Sequence, residues 1–179
     1  MTLVTAQPLA WDGYTVADLE ALPDDALRYE LVDGALLVTP PAINRHDFAA
    51  TELSHLLHDA IPPEWRVLVP GAVEFDRHNF RIPDLLVLQR LRPKYADPDD
   101  VVLAVEVMSP SSVTTDRLVK PAQYAAAGIA HFWRLELVDR LLVTYALEGD
   151  SYRETGRFTD AVVIDEPARL RFRLGQLLD

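Results

Sequence analysis

The stretch "LAVEVMSPSSVTTDRLVKPAQY", Leu103 to Tyr124, joins a strand to a helix and governs how the rest of the chain is read. Residues 103–109 alternate with a period of two, so Leu103, Val105 and Val107 point to one face and Ala104, Glu106 and Met108 to the other. Glu106 therefore stands in the middle of an otherwise apolar face. An ionised carboxylate there needs a cation, a hydrogen-bond network or a raised pKa to offset its lost hydration. A metal ion supplies the first; a core arginine or backbone N–H groups are the alternative. Ser111 to Ala127 has helical spacing and ends at Gly128, a residue suited to a helix C-terminus. Pro121 removes one backbone donor and either kinks that helix or moves its start toward Pro121. Ser109 and Ser111 read as caps, with phosphate contact as the alternative.

Outward from this unit, "HFWRLELVD" and "RLLVTYALEG" read as a hairpin. Short runs "YRETG" and "AVVIDE" and a terminal turn at Leu174–Leu178 follow. Upstream, "WRVLVP", "AVEFD" and "PDLLVLQ" are β-like runs separated by breakers, and "DDVVLAVEVM" is a fourth. Near the N-terminus, Thr15 with Asp18 caps a short helix that ends at Pro23. Asp33-Gly34 splits "RYELVDGALLV" into strands at about 28–32 and 35–39, since Asp-Gly favours a two-residue hairpin turn. Asp47 to Ile61 carries apolar residues at helical spacing, and Pro62-Pro63 stops it. His46, at the start of that helix, reads as a cap or surface residue, with an approach to a site as the alternative. Helices interleaved with hairpins and longer strand runs predict an α/β fold: a central mixed β-sheet flanked by helices, with additional β-hairpins. The 179 residues are expected to form a single domain, 1–179.

The composition, 49% hydrophobic and 25% charged, is that of a globular protein, and no apolar run approaches a membrane span. The N-terminus lacks a basic start followed by an apolar block, so the expected location is the cytoplasm. Without cysteine, disulfides and thiolate metal sites are excluded, which leaves His, Asp and Glu as ligands. The net charge of −11 argues against broad affinity for nucleic acid but allows a local basic groove. Within Arg77–Lys94, Arg77, Arg81, Arg90, Arg92 and Lys94 face only Asp84. Arg90, Arg92 and Lys94 are therefore candidate nucleic-acid contacts, the other reading being a solvated basic loop.

Asp84 opens a strand directly after Pro83, a position that equally suits a turn. Paired with Glu106 on a neighbouring strand, it makes a candidate oxygen site for a hard cation, Mg²⁺ or Mn²⁺. Lys120 shares a helix face with Asp116 and Tyr124, four residues to either side. It is placed either to stabilise charge on a phosphoryl group or simply to pair with Asp116 on the surface. If Lys120 serves the phosphoryl group, Lys120→Ala should leave the fold nearly intact.

"YELVDGALLV", "RIPDLLVL", "LAVEVMSPSS", "DRLVK", "QYAAAGI" and "HFWRLEL", in this order, resemble the Uma-two family of putative restriction endonucleases, within the PD-(D/E)XK nuclease superfamily. The resemblance implies a restriction-endonuclease-like core, with Asp84 and Glu106 as metal ligands. It implies the superfamily lysine at Lys120 rather than at Met108, and a further acidic residue at Glu30. Ala35 and "HFWRLE" depart from the family pattern without touching these positions. The expected function is a Mg²⁺-dependent endonuclease acting on DNA, assembled as a homodimer or higher homo-oligomer. The competing readings are a non-catalytic interaction or mobile-DNA accessory protein that retains the fold, and a hydrolase of small phosphorylated substrates.

Overall fold

A computed structural model describes residues 12–23, 27–108 and 119–179. In chain order the first elements are α1 (Val16–Leu19), β1 (Arg28–Val32), β2 (Ala35–Thr39), α2 (Asn44–Ala60), β3 (Arg66–Leu68) and β4 (Val73–Asp76). Next come β5 (Asn79–Arg81), β6 (Leu85–Leu88), a 3-10 turn at Pro98–Asp100, β7 (Val101–Met108) and α3 (Lys120–Ala126). The chain closes with β8 (His131–Glu136), β9 (Leu141–Glu148), β10 (Ser151–Phe158), β11 (Ala161–Ile164), β12 (Leu170–Arg173) and α4 (Gly175–Leu178).

The main sheet has the order β10-β9-β8-β7-β6-β3. It is mixed, as expected. β7 runs antiparallel to β6, with Leu85 opposite Val105, and parallel to β8, with Glu106 opposite Arg134. A parallel pair requires a crossover connection, and α3 lies in it. A second sheet, β2-β1-β5-β4, and the β11-β12 hairpin complete the architecture.

Local chemistry explains several elements. Asp33 (φ 48°) and Gly34 (φ 76°) both take left-handed backbone angles, as a type I′ hairpin turn demands. Thr15 and Asp18 form the capping box of α1, with the Thr15 amide donating to Asp18 Oδ2 at 2.7 Å. Pro121 sits in the first turn of α3, where its missing N–H costs nothing. The proposed caps Ser109 and Ser111, and Asp116, lie outside the described residues.

Two elements differ from expectation. β5 arises where "RHNFRIP" reads as basic loop; Phe80 is the one apolar residue of the strand itself, but pairing with β1 and β4 recruits the segment. "YRETG" belongs to an eight-residue strand, β10, whose irregularity between Glu154 and Gly156 hides the alternation.

The faces of β6 and β7 separate as the period of two requires. Leu85, Val87, Leu103, Val105 and Val107 pack on Ala49, Leu53 and Leu57 of α2. Leu86, Leu88 and Ala104 pack with Tyr124, Ile129 and Phe132. Glu106 shares the second face, so its carboxylate is directed toward α3.

Candidate active site

Glu106 is only 1% exposed, and α3 engages both of its oxygens. Tyr124 Oη donates to Oε1 at 2.6 Å, and Lys120 Nζ donates to Oε2 at 2.7 Å. Residues four apart stand above one another on a helix face, so one turn of α3 delivers both donors. Lys120 is itself buried, which overturns the surface-pair reading drawn from its spacing to Asp116.

Asp84 immediately precedes β6, and Pro83 before it removes a backbone donor that no strand partner needs. Its Oδ2 accepts the backbone N–H of Val107 at 2.8 Å, which ties it to the residue after Glu106. Oδ1 accepts from Arg28 Nη1 at 2.8 Å, and His46 Nε2 lies 3.1 Å from Oδ2. Glu30 of β1 caps the backbone N–H of Ile82 at 2.8 Å and lies 3.9 Å from Lys120 Nζ. Behind it, the fully buried Arg81 reaches to 3.6 Å from Glu30 and donates through Nε to Gln123 at 2.7 Å. The two terminal nitrogens of Arg81 have no hydrogen-bond partner among the described residues.

Electrostatics follow from this crowding. Burial alone would raise the Asp84 pKa, but the hydrogen bond and charge of His46, then the charges of Arg28 and Lys120, hold it down at about 2. Burial disfavours the His46 imidazolium, yet its contacts with Asp84 and then Asp47 outweigh that cost and raise its pKa above the usual histidine range. Burial, followed by the charges of Glu106 and Glu30, pushes the Tyr124 phenol well above its ordinary value, so it remains a donor. Burial also works against the Arg28 cation, and the attraction of Asp84 overcomes it.

The structure thus brings Glu30, Asp84, Glu106 and Lys120 into one buried cluster and adds Arg28, His46, Arg81 and Tyr124. The spacing of Lys120 to Tyr124 was visible in sequence. Arg28 gave no signal, because its approach to Asp84 depends on the second sheet. His46 was misread as a surface residue: α2 begins at Asn44, three residues before the expected start, and turns His46 inward.

No group of three or more His, Asp or Glu side chains is arranged to hold a metal ion among the described residues. Each carboxylate faces basic groups instead. The donor chemistry nevertheless suits a hard divalent cation: Mg²⁺ is commonly held by one or two carboxylates and retains several waters. Asp84 and Glu106, linked through the Val107 amide, supply such a pair.

Arg90, Arg92 and Lys94 do not join the cluster. Arg92 pairs with Asp97 and Asp100, and Lys94 pairs with Glu20. The positive balance of residues 77–94 is offset in space by acids that lie outside that window.

A mixed sheet with Glu106 on β7, Asp84 directly before the adjacent β6 and Lys120 on the crossover helix is the arrangement expected of a restriction-endonuclease-like protein. The chain belongs to the Uma2 family, described as "Putative restriction endonuclease", which it matches over residues 16–175. Among solved structures it is similar to the crystal structure of "a putative nuclease belonging to DUF820 from Anabaena variabilis ATCC 29413". That likeness has a TM-score of 0.72 at 16% identity and covers 91% of this chain and 96% of the other, so it is one of fold. No curated protein matches the chain.

Proposed function

We propose that the protein is a metal-dependent endonuclease that hydrolyses phosphodiester bonds in DNA. The observation that carries this reading is the buried contact of Lys120 with Glu106, beside Asp84, in a chain of this family. Asp84 and Glu106 would hold Mg²⁺ or Mn²⁺. Such an ion, when bound, polarises a phosphoryl oxygen and acidifies a bound water. Lys120 supplies positive charge where the transferring phosphoryl group gains negative charge, and it orients the attacking water. Glu30 holds the ammonium from its far side, directly or through water. Tyr124 keeps Glu106 in one rotamer. Cutting both strands of a duplex calls for two such sites, which a homodimer provides.

The test is thermal unfolding with increasing Mg²⁺ or Mn²⁺. A ligand at a hundredfold excess over its dissociation constant stabilises the folded state by about 2.7 kcal/mol. Glu106→Gln should lose most of that gain, whereas an equal response in wild type and variant would remove Glu106 from the metal site.

One observation favours a second reading, a non-catalytic interaction or mobile-DNA accessory protein. The carboxylates already accept protein donors, and Arg28, Arg81 and Lys120 balance Glu30, Asp84 and Glu106 without any ion. A complete absence of metal response in the wild type supports that alternative.

A further inference from the structure

We infer that Arg28 is the substrate-phosphate receptor of this site, and that on binding it exchanges Asp84 for the phosphodiester anion. The inference rests on the metal-dependent reading above and specifies how substrate and metal share Asp84.

Among the described charged side chains of the cluster, Arg28 alone reaches well into solvent. Its side chain is 25% exposed, against 5% for Asp84, 9% for His46, 8% for Lys120 and 1% for Glu106. An anion approaching Asp84 from solvent on this side meets Arg28 first. A guanidinium carries five N–H donors in a planar fork that suits phosphate. In Arg28 the Nη1 donor goes to Asp84 Oδ1, and Nη2 donates to the Ile82 carbonyl. The Ile82 contact fixes the fork in place while the Asp84 contact remains exchangeable.

The exchange also resolves a conflict in the resting geometry. Asp84 Oδ2 is engaged by the Val107 amide and His46, so Oδ1 is the oxygen a cation can reach, and Arg28 occupies it. A phosphate oxygen that takes over the Nη1 donor, while Nη2 stays on the Ile82 carbonyl, frees Oδ1 without leaving an unbalanced charge, because the metal cation takes that donor's place at Asp84. Substrate and metal then bind cooperatively through one arginine.

The experiment is calorimetric titration of Mn²⁺ into the full chain without DNA, for wild type, Arg28→Gln and Arg28→Lys, with circular dichroism as the check on folding. Removing a cation a few ångströms from a bound one should tighten Mn²⁺ binding about tenfold in Arg28→Gln. The same variant should weaken binding of a short DNA duplex in Mn²⁺. Arg28→Lys should fall between wild type and Arg28→Gln in both measurements, and it serves alone if Arg28→Gln does not fold. Mn²⁺ binding by wild type with no gain in a folded variant overturns the exchange and leaves the nuclease reading standing. No Mn²⁺ binding by wild type or by either folded variant overturns both.

Discussion

Glu106 is accommodated on an apolar strand because, among the described residues, a single helix face engages it at two points, one cationic and one neutral. The neutral point can be removed cleanly. Tyr124 packs against Phe75 and Phe132, with ring centroids 6.0 and 5.9 Å away, and Tyr124→Phe retains that packing. It should cost about 1.5–3 kcal/mol in denaturant unfolding, the worth of a hydrogen bond to a charged group. A loss below about 0.5 kcal/mol would show that the phenol does not hold Glu106. The cationic point is not separable from folding in the way the sequence suggests. Lys120→Ala breaks a buried ion pair and should cost about 3–5 kcal/mol, so the expectation of a nearly intact fold gives way. A double-mutant cycle with Glu106→Gln should show a coupling above about 1 kcal/mol. His46 adds a pH signature. Its folded-state pKa is raised, so its contribution is fully present below the unfolded value of about 6.5 and fades as pH climbs through the folded value. His46→Gln should therefore be more destabilising at pH 5.5 than at pH 8.5, measured by urea unfolding. An equal loss at both pH values would mean that the imidazolium–Asp84 contact adds nothing. The Asp84 contribution has the opposite sense: with a folded pKa of about 2, it is present above the unfolded value of about 3.9 and is lost as pH falls between them.

The elements differ in how far the sequence reveals them. The Asp33-Gly34 hairpin, the alternation of β7 and the placement of Pro121 follow from local rules, and all three appear in the fold. Glu106 was legible for the same reason, being a charge out of step with a strong pattern. β5 was not, since a three-residue strand with one buried apolar side chain is recruited by its neighbours rather than specified by its own residues. Arg28 and Arg81 were missed with it, because the second sheet, through β1 and β5, carries them to partners distant in the sequence. Asp84 depends on tertiary support as well: Gly71 donates its backbone N–H to the Pro83 carbonyl at 3.1 Å and leaves no room for a side chain. A Cβ at position 71 would stand 2.5 Å from Leu86 Cδ1. Gly71→Ala should destabilise by about 1–3 kcal/mol through overpacking and shift the Pro83-Asp84 segment. Thermal unfolding and metal titration together test this, and a neutral effect on both would show that Leu86 yields without moving the segment.

At the scale of the whole molecule, a net charge of −11 must be reconciled with the polyanionic substrate proposed above. A cavity of about 580 Å³ is lined by Asp33, Glu74, Asp76, Asp97 and Asp99, and such a surface repels nucleic acid. The proposed DNA is therefore expected to avoid that cavity. Of the three candidate contacts, Arg90 is exposed and has no ion pair among the described residues, whereas Arg92 and Lys94 are matched. Replacing Arg90, Arg92 and Lys94 together by Ser should reduce the slope of log affinity against log salt by about 1, since each phosphate contact contributes about 0.9. A reduction near 3 would show that all three reach phosphate. No helix among the described residues is long and apolar enough to cross a membrane. The assignment as a whole turns on whether Asp84 and Glu106 support phosphodiester hydrolysis. Nicking of supercoiled plasmid in Mn²⁺ by wild type, Asp84→Asn and Glu106→Gln, each purified identically and confirmed folded, measures that directly. The expected result is metal-dependent nicking by wild type that falls at least a hundredfold in both variants, of the order seen when one charge-stabilising group is removed from an active site. Equal nicking by all three proteins, or none by the folded wild type, would contradict it.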